Sequence, residues 1–144
     1  MKFLRIIFLL LPFTVNAQQI EIGKFSCDDL KSILESKIII DHFYLNKVKD
    51  SIIVVDTFQV FRCNDLRIAD KDAKLVRAYF PEISQGVNSY SNFKGKPNRV
   101  IVLLQVRIIE NKYFLIFWQP HDNATFEVSL SRRKKLKVIS MGVF

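Results

Sequence analysis

The sequence predicts an α+β domain: a four-stranded antiparallel C-terminal meander plus an N-terminal hairpin, packed against one or two helices. Three observations predict it. Val100, Val102, Leu104, Val106 and Ile108 occupy every second position of one run, and Ala124, Phe126, Val128 and Leu130 do so in another, with Thr125, Glu127 and Ser129 between them. Such alternation is the pattern of a half-buried strand. Residues 26–36 instead place Cys27, Leu30, Ile33 and Leu34 on one helical face. Residues 37–45 and 51–61 are rich in β-branched and aromatic side chains, which favour strands.

The chain begins with Lys2 and Arg5, then an apolar stretch from Ile6 to Phe13, then Val15-Asn16-Ala17. A positive start, a short apolar core and small residues at a cleavage position are the three parts of a secretory signal. The apolar stretch is about half the roughly 18 residues that a bilayer span needs. Residues 1–17 are therefore expected to be a cleaved signal and residues 18–144 a single exported domain, periplasmic or secreted, with no transmembrane segment after removal of the signal. Gln18 follows the cleavage point, where a lipid-anchored protein needs a cysteine. In an oxidising compartment Cys27 and Cys63 suggest a disulfide. Such a bridge would close a loop worth about 3–4 kcal/mol in the chain-entropy account. Two separate buried thiols are the other reading of the same pair.

From the N-terminus, Ser26 is placed to cap the first helix, with Asp29 three residues on as its partner. The strands 37–45 and 51–61 are joined by the polar stretch Asn46 to Asp50, which suits a hairpin. Residues 70–80 read as a second helix, capped by Asp70, with Ala73, Val76 and Phe80 on one face and Pro81 stopping it. Residues 82–98, rich in Ser, Asn and Gly, read as a long loop, and loops of that length are often functional. The meander follows: Val100–Ile108, a tight turn at Glu110-Asn111, residues 113–119, then 124–130, and a fourth strand from about Lys135 to Val143 after a turn at Ser131 to Lys134. Short connections force antiparallel pairing.

A helix followed by a long antiparallel meander, over roughly residues 25–143, resembles the cystatin-like and nuclear-transport-factor-2-like group of α+β folds. The resemblance is one of element order. The Gln-x-Val-x-Gly loop expected of a cystatin inhibitor is missing, so inhibition of cysteine proteases is not implied. Scaffolds of this kind host enzymes and binders alike.

The chain carries 22 Lys and Arg against 14 Asp and Glu, a formal charge of +8. Residues 18–93 hold 10 basic and 11 acidic side chains, whereas residues 94–144 hold 10 basic and 3 acidic. The positive field therefore belongs to the C-terminal third, and it attracts acidic proteins or anionic envelope components. Export makes nucleic acid the least expected partner. The densest cluster is Arg132, Arg133, Lys134 and Lys135, followed by Lys137; it reads as a grip on anions or as a guard on an edge strand. In the long loop Tyr90 and Phe93 stand beside Lys94 and Lys96, a mixture that suits anchoring a partner.

Signals for chemistry are sparse. The two histidines form Asp41-His42 and His121-Asp122, with no third ligand at a metal-binding spacing. The chain has no Gly-x-Ser-x-Gly elbow and no Gly-rich phosphate loop. Neither cofactor nor metal is expected, and no catalytic residue is assigned. The expectation is an exported, non-enzymatic binding protein acting through Tyr90, Phe93, Lys94, Lys96 and Arg132 to Lys135. The alternatives are a small-ligand binder or enzyme with a pocket between helix and sheet, lined by His42, Tyr44 and Trp118, and a structural envelope protein. Asn123-Ala124-Thr125 is a glycosylation sequon, relevant only where the transferase exists.

Overall fold

The computed structural model describes residues 19–77, 100–133 and 135–143. The expected signal over 1–17, the loop with Tyr90, Phe93, Lys94 and Lys96, and Lys134 lie outside the described residues. The fold is α+β and dominated by strands. In chain order the elements are β1 (Phe25–Ser26), α1 (Cys27–Leu34), α2 (Lys37–His42), a 3-10 turn (Leu45–Lys47), β2 (Ile52–Asp56), β3 (Phe61–Arg62), β4 (Leu66–Ile68), β5 (Lys71–Arg77), β6 (Val100–Ile109), β7 (Lys112–Gln119), β8 (Ala124–Leu130) and β9 (Leu136–Val143). Seven strands form one sheet in the order β4-β5-β2-β6-β7-β8-β9, and β1 pairs with β3 in a separate parallel ladder. The large sheet is mixed: β2 runs parallel to both of its neighbours, β5 and β6, while the remaining pairs are antiparallel.

The capping of α1 follows from Ser26 and Asp29. Ser26 Oγ accepts from the Asp29 amide at 3.3 Å, and Asp29 Oδ2 accepts from the Ser26 amide at 2.8 Å, which closes a reciprocal box. Leu30, Ile33 and Leu34 then face the core, fully buried. Cys27 and Cys63 form a disulfide, with Cα atoms 4.8 Å apart, tying the start of α1 to the segment after β3.

The N-terminal half departs from expectation in three places. The expected strand 37–45 is the helix α2 followed by the 3-10 turn. Ser36 starts α2, and helical spacing buries Ile39 and Phe43 on one side while Ile38 stays 52% exposed. A short isoleucine run fits either period, and packing decides between them. The expected helix 70–80 is strand over its described part, β5. Asp70 is no N-cap; Ala69 and Asp70 both have positive φ, 50° and 60°, and form the two-residue turn of the β4–β5 hairpin. Finally, the expected strand 51–61 stops at Asp56. The Asp56 carboxylate is buried and accepts the amides of Phe58 at 3.2 Å and Phe61 at 2.8 Å, so the chain curls around it. With 37–45 helical, the expected N-terminal hairpin does not form, and β2 finds parallel partners instead.

The main core lies between the helices and one face of the sheet. Phe117 stacks on Phe126 at 4.9 Å between ring centroids, Phe43 meets Phe126 edge-on at 4.9 Å, and Phe61 reaches Phe117 at 6.4 Å. A second cluster of Val55, Val100 and Val102, with Ile53, Leu104 and Trp118 packed against it, sits on the other face. Burial of both faces explains why β2 and the start of β6 are continuously apolar rather than alternating. No helix among the described residues is long and apolar enough to cross a membrane.

Candidate binding cleft at the basic end of the sheet

Two tight hairpins meet at one end of the sheet. Glu110 and Asn111, with φ of 49° and 63°, turn β6 into β7. Between β8 and β9 the Ser131 amide donates to the Lys135 carbonyl at 3.2 Å and the Lys135 amide donates to Ser131 Oγ at 3.2 Å, which closes the connection. Arg132 Nη2 donates to Asn111 Oδ1 at 2.7 Å and ties the two turns together. The segment before β1 completes the site. It is held by the Gly23 amide donating to the Gln59 carbonyl at 2.8 Å and the Phe25 amide donating to the Val60 carbonyl at 2.9 Å.

Between these three pieces lies an open cleft of about 580 Å³, in which Lys24 and Arg132 are the cationic groups and Glu21 the acidic one. Phe25 and Tyr113 form an aromatic pair within it, edge to face at 4.9 Å between centroids. Lys24 Nζ lies 2.7 Å from Glu21 Oε2. That bond, with Tyr113 acting in the same direction, holds the Lys24 ammonium above its ordinary pKa, against the opposing effects of burial and Arg132. Lys24 thus stays charged throughout the neutral range. A guanidinium has five N–H donors, and one of Arg132's goes to Asn111. The arrangement is chemically suited to hold a carboxylate or phosphate oxygen between Arg132 and Lys24, beside an apolar surface.

The structure splits the basic run. Arg132 lines the cleft, whereas Arg133 and Lys135 are exposed on the turn outside it. Lys24, Glu21, Phe25 and Tyr113 were not candidates by sequence. Lys24 and Arg132 stand at opposite ends of the chain, and no local pattern links them.

His42, Tyr44 and Trp118 are not brought together in one pocket. His42 Nε2 lies 3.0 Å from the Thr125 carbonyl and its ring stacks on Phe43. Tyr44 is 45% exposed, with Lys47 Nζ 4.6 Å above its ring. Trp118 packs with the second cluster, and its Nε1 donates to Asn123 Oδ1 at 3.0 Å. A second, larger cleft of about 800 Å³ opens where β6 and β9 depart from regular register, lined by Leu104, Val106, Ile116, Thr125, Glu127 and Ser140. Glu127 is taken up there by an ion pair with Arg107. His121 and Asp122 form a surface pair 3.7 Å apart, and the described residues contain no group of three or more metal-ligating side chains. The chain matches no known protein family, no curated protein and no solved structure.

Proposed function

We infer that this protein is an exported, non-enzymatic binding protein that takes an anionic group of a protein or envelope partner into the Lys24–Arg132 cleft. The observation that carries the reading is the convergence of Arg132 and Lys24 on the Phe25–Tyr113 pair, from three separate parts of the chain. Two exposed cations beside an aromatic surface favour an oxyanion attached to an apolar body. The Cys27–Cys63 disulfide supports an oxidising compartment, and the signal-like residues 1–17 support the route to it. The resemblance in element order to cystatin-like and nuclear-transport-factor-2-like folds bears on scaffold alone and brings no activity with it.

Titrating a fluorescent peptide of glutamate and phenylalanine against the full chain tests the cleft. The double variant Lys24→Glu, Arg132→Glu is expected to weaken binding by about tenfold or more, with steep salt dependence in the wild type. Equal binding by wild type and variant removes the cleft from the function. Intact-mass analysis of protein recovered from its source is expected to give a chain beginning at Gln18.

A second reading rests on the larger cleft. Its mostly apolar lining suits a small apolar ligand in place of an acidic partner. Saturable uptake of an apolar dye, abolished by Ile116→Glu and untouched by Arg132→Glu, would favour it.

A further inference from the structure

The last strand of the sheet has two unlike halves. Among the described residues β9 pairs with β8 on one side and is the terminal strand of the seven on the other. An edge strand offers a row of backbone donors and acceptors to any extended chain, and proteins guard such edges with lysines, prolines and bulges. Up to its midpoint β9 is guarded in this way. Lys135 and Lys137 are exposed, Arg133 stands just ahead of them, and Ile139 is the extra residue of a bulge between Val138 and Ser140. Beyond the bulge the strand carries neither charge nor proline. Ile139, Met141 and Val143 are 43%, 48% and 71% exposed. Met141 and Val143 stand opposite Phe126 and Ala124, on the face that elsewhere builds the core. Residues 128–144 contain no acidic side chain.

We propose that the β9 edge accepts an extended segment of a partner protein by antiparallel strand addition, the segment being apolar in its N-terminal half and acidic in its C-terminal half. The polarity follows from the strand itself. An antiparallel partner begins opposite Met141 and Val143 and ends opposite Lys137 and Lys135, so its apolar residues meet the apolar half and its carboxylates meet the ammonium groups. Main-chain hydrogen bonds supply affinity in this mode and the alternating side chains supply selection. Charge argues against a second copy as the occupant. Two β9 strands paired antiparallel about their midpoint would set Lys135 and Lys137 of each opposite Val143 and Met141 of the other, so ammonium groups would meet apolar side chains with nothing acidic to receive them. The inference rests on the reading of the protein as a binder of anionic partners, and adds the mode of recognition and the class of partner.

The test uses the oxidised full chain and a short acetylated peptide that alternates Val and Thr in its N-terminal half and Glu and Ser in its C-terminal half. Binding is expected by fluorescence anisotropy, together with slowed amide exchange along β9. N-methylation of alternate peptide nitrogens, which spares every side chain, is expected to abolish binding when the methylated edge faces β9. The same residues in reversed order are expected to bind more weakly. The double variant Lys135→Glu, Lys137→Glu, at exposed positions that leave folding intact, is expected to weaken binding about tenfold. Lys74→Glu, an exposed charge reversal on β5 outside both sites, is expected to leave it unchanged. Equal binding by both N-methylated registers overturns strand addition; if that binding is also lost in the Lys24/Arg132 variant, the cleft reading stands alone. No binding of the peptide, or self-association through β9 in its place, overturns the proposal.

Discussion

The two ends of the seven-stranded sheet are held by different means. At the β4–β5–β2 end β4 and β2 have only three and five residues, and a few directional contacts help to position the elements: the Ser26–Asp29 box, the Cys27–Cys63 bridge, the Ala69–Asp70 turn, and the Asp56 carboxylate with the amides of Phe58 and Phe61. At the β7–β8–β9 end the strands are long and antiparallel, and buried area dominates, with Phe117 and Phe126 stacked at the centre. Both ends share one apolar core, and the first is stitched in addition. Stitching can be undone one contact at a time, whereas packing yields as a whole.

The largest expected effect tests the packed end. Phe117→Ala removes a fully buried ring that touches Phe61 and Phe126. A loss of about 3–5 kcal/mol is expected from transfer and cavity costs together. Urea unfolding followed by both tryptophan fluorescence and circular dichroism should give one shared, lowered midpoint. Separate midpoints for the two probes would mean that the packed end does not govern the whole domain.

Next in size is the disulfide. Replacing Cys27 and Cys63 by alanine together is expected to cost about 3 kcal/mol through the freed chain entropy of the unfolded state. The same drop in melting temperature should follow addition of a thiol reductant to the wild type. If amide exchange rises equally in β8 and in α1, the distinction between stitched and packed ends fails.

The same contrast explains what could be read from the chain. β8 was legible because period-two alternation survives in Phe126, Val128 and Leu130, and β7 and β9 because an apolar, β-prone run follows a tight turn in each case. The cap of α1 was legible because Ser26 and Asp29 interact three residues apart. In the stitched end the local signals were ambiguous. The isoleucines of α2 suit a strand by propensity, and burial of Ile39 with Phe43 settles them as helix. β5 carries lysines and an aspartate that mimic a helix surface, and only pairing with β2 and β4 makes it a strand. Of the cleft, Arg132 was visible as part of a charge run. Lys24, Phe25 and Tyr113 were not, because three chain segments must fold before they become neighbours.

A smaller effect probes the cap. Ser26→Ala removes the side-chain acceptor of the Asp29 amide and leaves the Asp29 carboxylate its bond to the residue 26 amide. About 1 kcal/mol is expected, read as a shift of the urea midpoint. A Ser26→Thr variant should recover most of it, because its hydroxyl can both accept from the Asp29 amide and donate to the Asp29 carboxylate.

The smallest expected effect is a slope with an unusual sign. Burial raises the Asp56 pKa from 3.8, and the amides of Phe61, Val60, Phe58 and Gln59 offset this only in part. Above the ordinary carboxylate value the native state therefore holds a proton that the unfolded chain has released. Stability rises with pH only where the unfolded state binds more protons, so here the contribution of Asp56 is fully present below 3.8 and declines as pH climbs through the raised native value. This runs opposite to ordinary acid denaturation. The Asp56→Asn variant keeps one acceptor oxygen and cannot ionise. Urea midpoints of wild type and variant, measured from about pH 4 to 7, should show the wild type losing ground to the variant as pH rises. The reverse trend would mean that the amides around Asp56 stabilise its charge more than burial penalises it, and the stitched end would then be strongest where the carboxylate is ionised.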